Sequence, residues 1–212
     1  MNPDASPTGS VAVLHDMVEE RWPSMDQMGH LLTTRLPALA PGLAVTPVRY
    51  PMIRVASRGA LGRVRPLFFA DRILNRMVLY PRSVRRDVSG RFDIYHVVDH
   101  SYAQLVLALP ANRTIVSCHD VDTFRSLVQP DEDRRSPMFK AMTRRILAGL
   151  RRAAVIVCGS VTAHDELVSF GLADPARLRI VPNGIDPALL EPPSPYGSST
   201  YYFETLSLIG PP

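Results

Sequence analysis

Short apolar runs alternate with longer runs of helical periodicity through most of this chain, and few folds accommodate such an alternation. The runs with strand character are residues 11–15, 44–48, 94–98, 114–118, 155–158 and 179–181. The runs with helix character are residues 25–39, 66–79, 102–109, 137–152 and 162–170. This pattern predicts an α/β fold, a Rossmann-like open parallel sheet with helices on both faces.

The fourth helical run has the clearest periodicity. Its apolar residues recur at helical spacing, at Met138, Met142, Ile146 and Leu150. Most basic residues of the run fall on other faces. We therefore expect the apolar stripe, with both methionines, to fill the core.

Polar residues follow the predicted strands at the point where each strand ends. They are His15 and Asp16, Asp99 and His100, His119 and Asp120, Ser160, and Asn183 and Gly184. The carboxyl ends of parallel strands lie along one edge of a sheet, and ligands bind at that edge. The sequence therefore predicts a polar cleft there. His119 is the strongest single candidate because it combines a strand end, an adjacent acid and a loop that continues through residues 121–124.

Several of these residues also have a simpler structural interpretation. His96 and His100 are four residues apart, but in a strand a hydrogen-bonded structural histidine is favoured over a metal ligand. Ser160 is most simply a helix N-cap, although such a position also offers free backbone N–H groups to an anion. Cys118 and Cys158 lie in apolar strands, where buried reduced thiols are expected.

Arginine dominates the positive charge of the chain. Lys140 is the only lysine among 24 basic residues, and ten arginines fall between Arg54 and Arg91. That segment could contact an anionic membrane surface or hold a phosphate-bearing acceptor, and a solvated surface is the simpler alternative. Nucleic acid is not an expected partner, because no recognition motif accompanies the arginines.

The location expected from the sequence is cytoplasmic, with peripheral contact at a membrane as an extension of it. No apolar run approaches the roughly 18 to 20 residues that span a bilayer. The first ten residues also lack the basic and then apolar order of a signal peptide.

Asn183-Gly184 is typical of a β-hairpin turn, but no second strand is predicted after it. The segment that follows contains Pro187, Pro192, Pro193 and Pro195, which suits a stiff linker rather than a returning strand. We therefore interpret the turn as the exit from a domain. The predicted organisation is a disordered N-terminus at 1–10, a domain at 11–186, and a proline-rich linker and tail at 187–212.

Four stretches, in this order, resemble one known family: FDIYHVVDHSYAQL, TIVSCHDVDTF, RRAAVIVCGSVTAHDELVSFGL and RLRIVPNGID. From about Val11 to Asp186 the chain resembles the N-terminal half of glycosyltransferase family 4, retaining enzymes of the GT-B fold. The resemblance implies a Rossmann-like domain that binds the acceptor and a second domain that binds a nucleotide-sugar. That sugar nucleotide is a co-substrate, and the resemblance implies no metal or other cofactor.

The resemblance also suggests roles for individual residues. His119 would reach the donor sugar from the acceptor side, with Asp120 beside it, and these two are the predicted catalytic residues. Asn183 and Gly184 would form the turn that leaves the first domain. Asp16, His100 and Ser160 are the strand-end residues expected to hold a sugar, glycan or lipid-linked acceptor by convergent hydrogen bonds.

Two features depart from the family pattern. The family commonly has a Gly-Gly pair after the first strand, whereas residues 17–24 here read MVEERWPS, so we expect Arg21 and Trp22 to serve the acceptor. Beyond Asp186 there is no room for a donor domain. The expectation is an acceptor-binding half of a hexosyltransferase-like enzyme, truncated, inactive alone and completed by a donor domain supplied elsewhere; the alternative is a non-catalytic binding or interaction module.

Overall fold

The computed structural model describes residues 9–59 and 64–182, which contain a six-stranded sheet. The strands are β1 (Gly9–Leu14), β2 (Leu43–Val48), β3 (Ile94–Val97), β4 (Thr114–Cys118), β5 (Val155–Cys158) and β6 (Leu178–Ile180). Every pair of neighbours is parallel, in the order β2-β1-β3-β4-β5-β6. The predicted α/β fold is confirmed, and β1 begins at Gly9, two residues before its predicted start.

Helices connect the strands. The α-helices are α1 (Pro23–Leu39), α2 (Arg65–Leu74), α3 (Tyr80–Asp87), α4 (Arg125–Val128), α5 (Pro137–Leu150) and α6 (Val161–Ser169). Within the described residues, 3-10 helices lie at Val18–Glu20, His100–Ala108, Ala111–Arg113, Asp122–Phe124 and Pro175–Arg177, and a π-helix at Asn75–Leu79 joins α2 to α3. None of the helices within the described ranges is long and apolar enough to cross a membrane.

Apolar side chains pack on both faces of the sheet. Along β1, Ala12 and Leu14 point into the larger cluster, whereas Val11 and Val13 point to the opposite face and pack with Met28 of α1. Successive side chains of a strand alternate between faces, so an apolar run with no polar alternation requires helices on both sides. The continuous apolar strands of this sequence are thereby explained.

Met138 corrects one expectation about α5. Met138 is 61% exposed and lies in the first turn of the helix, which has no buried residue. The buried face of the helix is formed by Thr143, Ile146, Leu147, Gly149 and Leu150. Only the later part of the stripe therefore fills the core.

The second predicted helix, residues 66–79, continues in the structure to Asp87. A π-helix at Asn75–Leu79 connects its two α-helical parts, α2 and α3. The Tyr80 N–H donates to the Asn75 carbonyl, five residues earlier, and Pro81 has no N–H with which to continue the pattern. The Arg76 carbonyl instead accepts a hydrogen bond of 3.1 Å from Nε2 of Gln104. A buried amide from the 3-10 helix His100–Ala108 therefore holds the π-helix in place.

The order of the strands fixes where a cleft can form. The chain leaves β1 toward β2 on one side and later places β3 on the other side of β1. The carboxyl ends of β1 and β3 therefore flank a topological switch point, where open α/β sheets bind ligands. Asn183, Gly184 and the tail to residue 212 lie outside the described residues.

Candidate functional site

Two buried carboxyl groups lie at the switch point. Asp16 follows β1 and Asp99 follows β3, and both residues are almost fully buried. Asp99 accepts hydrogen bonds from the Ser101 N–H at 2.8 Å and from the Ser101 hydroxyl. Burial, reinforced by the charge of Asp99, raises the pKa of Asp16 to about 8. The buried pair of Asp16 and Asp99 therefore retains a proton at neutral pH and can donate a hydrogen bond.

Oδ1 of Asp16 has no hydrogen-bond partner among the described residues. Buried carboxyl oxygens are usually bonded to a donor. An unpaired buried oxygen at the carboxyl edge of the sheet is therefore a candidate contact for a ligand hydroxyl.

His100 is the centre of the predicted polar cluster. It is buried, and its Nδ1 lies 3.4 Å from Oδ1 of Asp99. Its Nε2 lies 3.5 Å from Oδ1 of Asp120 and 3.2 Å from Oγ1 of Thr123. The hydrogen bond from His100 lowers the pKa of Asp120, so this carboxylate is ionised. The structure thus brings three predicted residues, His100, His119 and Asp120, to one place.

His119 and Asp120 sit at the end of β4. Nε2 of His119 lies 3.0 Å from the Val98 carbonyl oxygen, and the His119 N–H donates to His100 over 3.5 Å. The Asp120 side chain is 56% exposed and accepts from the Asp122 N–H at 2.9 Å. His119 is therefore oriented by the backbone, while Asp120 reaches solvent.

Ser160 lies at the end of the neighbouring strand β5. Its hydroxyl accepts from the Ala163 N–H at 3.1 Å, which confirms the predicted N-cap of α6. The Gly159 N–H donates to the Cys118 carbonyl at 3.2 Å, joining this turn to the end of β4. Ser160 is exposed, and it is joined to the cluster only through this shared edge of the sheet.

The acidic residues that follow β1 are structural. Glu20 accepts from Arg72 and from the Tyr102 hydroxyl, the latter at 3.0 Å, and Oε2 of Glu19 accepts from the Met52 N–H at 3.1 Å. Nη1 of Arg76 lies 3.9 Å from Glu20. Both glutamates therefore point into the protein and leave the loop without a free carboxylate at the edge.

Trp22 lines a cavity of about 540 Å³, which we call the apolar cavity. Its apolar lining consists of Trp22, Phe69, Ile73, Met77, Phe139, Met142 and Ile146, and its polar lining of Arg72, Arg76, Arg135, Ser101, Thr123 and Thr143. Arg21, by contrast, is exposed with a left-handed backbone (φ 53°) and does not line this cavity. Of the predicted Arg21–Trp22 pair, Trp22 alone contributes to it.

The apolar cavity adjoins the polar edge of the sheet. Ser101, in its wall, donates to Asp99, and Thr123, also in its wall, contacts His100. A ligand in the cavity therefore lies next to the buried carboxyl and histidine groups. This arrangement suits a molecule with an apolar body and a polar end.

The two remaining histidines of the strands are structural. Nε2 of His96 lies 2.8 Å from the Ser117 hydroxyl, and burial lowers the pKa of His96 to about 4. Burial also lowers the pKa of His15, whose ring packs against Gly29. Across residues 9–59 and 64–182 no group of three His, Cys, Asp or Glu residues could hold a metal ion, and Cys118 and Cys158 are buried free thiols.

Sequence reasoning did not identify the wall of the apolar cavity. Phe69 and Met77 come from the α2 and π-helix region, whereas Phe139 and Met142 come from α5, and nothing in the sequence pairs these helices. Asp99 could be recognised in the sequence as a polar residue that follows a predicted strand. Its burial against Asp16 could not be predicted, because it depends on the adjacency of β1 and β3.

Comparison with known proteins places this geometry in context. The family model described as Glycosyltransferase Family 4 matches residues 24–189. No curated protein matches the chain.

Among solved structures, the chain is similar to Anabaena Alr3699/HepE in complex with UDP and glucose (13% identity, TM-score 0.46, 94% of this chain and 50% of that one). It is also similar to LpCGTa in complex with UDP (14%, 0.45, 86% and 54%) and to Glycyrrhiza uralensis UGT73P12 with glycyrrhetinic acid 3-O-monoglucuronide (10%, 0.42, 83% and 48%). The chain spans about half the length of these structures.

Proposed function

The chain belongs to glycosyltransferase family 4, and on that premise we propose that its described domain binds the acceptor in a sugar transfer that retains the anomeric configuration. The observation that carries the proposal is the apolar cavity beside a polar sheet edge. A second domain would bind the nucleotide-sugar, and the described domain alone would not transfer sugar.

The shape and lining of the cavity favour a lipid-linked acceptor over a free sugar or glycan. A volume of about 540 Å³ falls within the range of small-molecule sites. Trp22 and Phe139 offer flat apolar surfaces, which an alkyl or polyprenyl chain would cover. The polar end of the acceptor would then lie at Ser101 and Thr123, next to the sheet edge.

The edge residues would position the reacting hydroxyl. Protonated Asp16 would donate a hydrogen bond, and ionised Asp120 would accept one from the acceptor. His119 would face the donor sugar. In the transfer, the bond from the anomeric carbon to the diphosphate breaks, the bond to the acceptor oxygen forms, and the acceptor proton leaves with the diphosphate.

A non-catalytic binding module is the second candidate. The observation in its favour is that the side chains of His119 and Asp120 are already held by Val98 and His100. The same cavity would then bind a ligand without transfer.

The chain offers a direct probe of cavity occupancy, since Trp22 is its only tryptophan. Titration with octyl glucoside below its micelle concentration should shift Trp22 fluorescence to shorter wavelength in a saturable manner. Glucose alone should produce no shift, because it lacks the apolar tail.

A matched pair of variants tests where the ligand binds. Met142→Gln places a polar group in the cavity wall. The affinity for octyl glucoside should decrease roughly five- to thirtyfold, which corresponds to about 1–2 kcal/mol. Met138→Gln changes the same residue type on the same helix outside the cavity and should leave the affinity unchanged. Equal effects of the two variants, or no saturable shift in the wild type, would contradict an acceptor cavity.

The role of the polar sheet edge is tested by comparing ligands with and without a sugar group. Octyl glucoside should bind more tightly than 1-octanol, which has the same tail and no sugar. Asp120→Ala should remove that difference while leaving octanol binding and far-UV circular dichroism unchanged. A preference for the sugar that survives in the variant would mean that Asp120 does not contact the acceptor.

A further inference from the structure

A second cavity lies beside the apolar one, and its charged residues are all arginines. It has a volume of about 490 Å³, and Met77 lines both cavities. Arg82 and Arg85 of α3 and Arg145 of α5 line it. We call this second space the arginine cavity.

The three arginines differ from their neighbours in having no acidic partner. Arg72 and Arg76 are paired with Glu20, and Arg86 is paired with Asp87. Within residues 9–59 and 64–182, Arg82, Arg85 and Arg145 form no ion pair. Three like charges at one cavity repel one another, and a bound anion would offset that repulsion.

A buried hydrogen bond joins two of the elements that line the arginine cavity. Pro81 and Gln104 also line it, and Gln104 is fully buried and bonded to the Arg76 carbonyl of the π-helix. Such π-helical turns are frequent at functional sites. The bases of the arginine side chains therefore project from elements that are fixed to each other.

We propose that the arginine cavity binds a phosphate group of a small ligand, at a site separate from the polar edge of the sheet. The guanidinium group forms paired hydrogen bonds with phosphate oxygens, and these are stronger than bonds between neutral groups. α3 and α5 are distant in sequence, so the site exists only in the folded domain. The proposal rests on these contacts alone and does not depend on the acceptor function.

The experiment compares two double variants of equal charge. Arg82→Gln with Arg145→Gln removes one arginine of the cavity from each helix. Arg86→Gln with Arg144→Gln removes one exposed arginine outside the cavity from each of the same helices. Calorimetric titration with inorganic phosphate and with glycerol 3-phosphate, at one fixed ionic strength, gives the dissociation constants.

We expect the cavity variant to bind phosphate at least about tenfold more weakly than the wild type. The control variant should stay within about twofold of the wild type, because Arg86 and Arg144 do not line the cavity and form no direct bond to an anion bound in it. Equal loss in both variants would mean that net charge attracts the anion and would overturn the site.

A second arm identifies the source of the phosphate. The same proteins are sedimented with vesicles of phosphatidylglycerol and phosphatidylcholine, and with phosphatidylcholine alone. Binding to soluble phosphates, lost in the cavity variant, assigns a soluble ligand. Binding to anionic vesicles only, with the same loss, assigns a lipid headgroup. No binding in either arm overturns the proposal.

Discussion

Asp16 illustrates how burial changes the chemistry of one side chain. In the unfolded chain its carboxyl would ionise near pH 4, whereas in the folded domain its pKa is about 8. Between these values the folded state holds a proton that the unfolded state has lost. The contribution of Asp16 to stability is therefore greatest below about pH 4 and decreases as the pH rises to about 8.

Replacement of Asp16 by Asn should remove this dependence on pH. Asn resembles the protonated carboxyl and does not titrate, so Asp16→Asn should gain stability relative to the wild type as the pH rises from 5 to 8. The gain should be up to about 4 kcal/mol. Urea unfolding at both pH values measures it.

Asp131 offers the control for that experiment, because it is exposed. Asp131→Asn should change stability equally at pH 5 and pH 8. If Asp16→Asn behaved in the same way, Asp16 would be ionised in the folded protein and could not act as a hydrogen-bond donor at neutral pH.

The residue scale also shows what the sequence could predict about the site. Polar residues at strand ends are visible in the sequence, and His100, His119 and Asp120 do meet at the carboxyl edge. Their partners are not visible, because a contact such as His100 with Asp120 depends on the order of β3 and β4 in the sheet. The catalytic roles of His119 and Asp120 stay predictions.

The contact of α5 with the 3-10 helix His100–Ala108 depends on one glycine. A Cβ atom at Gly149 would overlap the carbonyl oxygen of Ala103 and approach the Gln104 backbone. Backbone atoms cannot move aside as the end of a flexible side chain can. Gly149 is therefore required for the two helices to approach this closely.

Gly149→Ala should destabilise the domain, although alanine is the better helix former by about 1 kcal/mol. We expect a net loss of about 1–3 kcal/mol, the usual cost of overpacking, in the free energy of unfolding. Ala148→Gly, at the exposed neighbouring position, should lose only about 1 kcal/mol through helix propensity. A stabilising Gly149→Ala would mean that the helices are farther apart.

At the scale of elements, the sequence predicted those bounds of strands that depend on local residue patterns. The bounds of β4 and β5 match the prediction, because continuous apolar runs followed by polar residues define buried strands. The 3-10 character of His100–Ala108 and the π-helix at Asn75–Leu79 were not predicted. Both depend on contacts between distant residues, such as Gln104 with the Arg76 carbonyl.

At the scale of the whole domain, the loop after β1 offers little to a nucleotide-sugar. Residues 17–24 contain no glycine, so side chains keep the backbone amides away from a diphosphate. Glu19 and Glu20 are held by Met52 and Arg72. The backbone and the acidic side chains of this loop therefore do not favour a donor diphosphate.

We accordingly expect the 212-residue chain to bind nucleotide-sugars no more tightly than inorganic pyrophosphate. Any shared affinity should come from the diphosphate alone and should fall in the variant that lacks Arg82 and Arg145. Calorimetry with uridine, guanosine and cytidine diphosphate sugars provides the comparison. Binding of one of these sugars more than about tenfold tighter than pyrophosphate would mean that this domain recognises the donor.

The π-helix at Asn75–Leu79 sets the rotation of α3 about the helix axis relative to α2. Each residue of an α-helix advances the chain by about 100° around its axis, so the one extra residue in a π turn rotates everything after it by about that angle. Deleting one residue here would turn Arg82 and Arg85 away from Arg145 without changing any of the three. The direction in which α3 presents its charges is therefore encoded several residues before those charges occur.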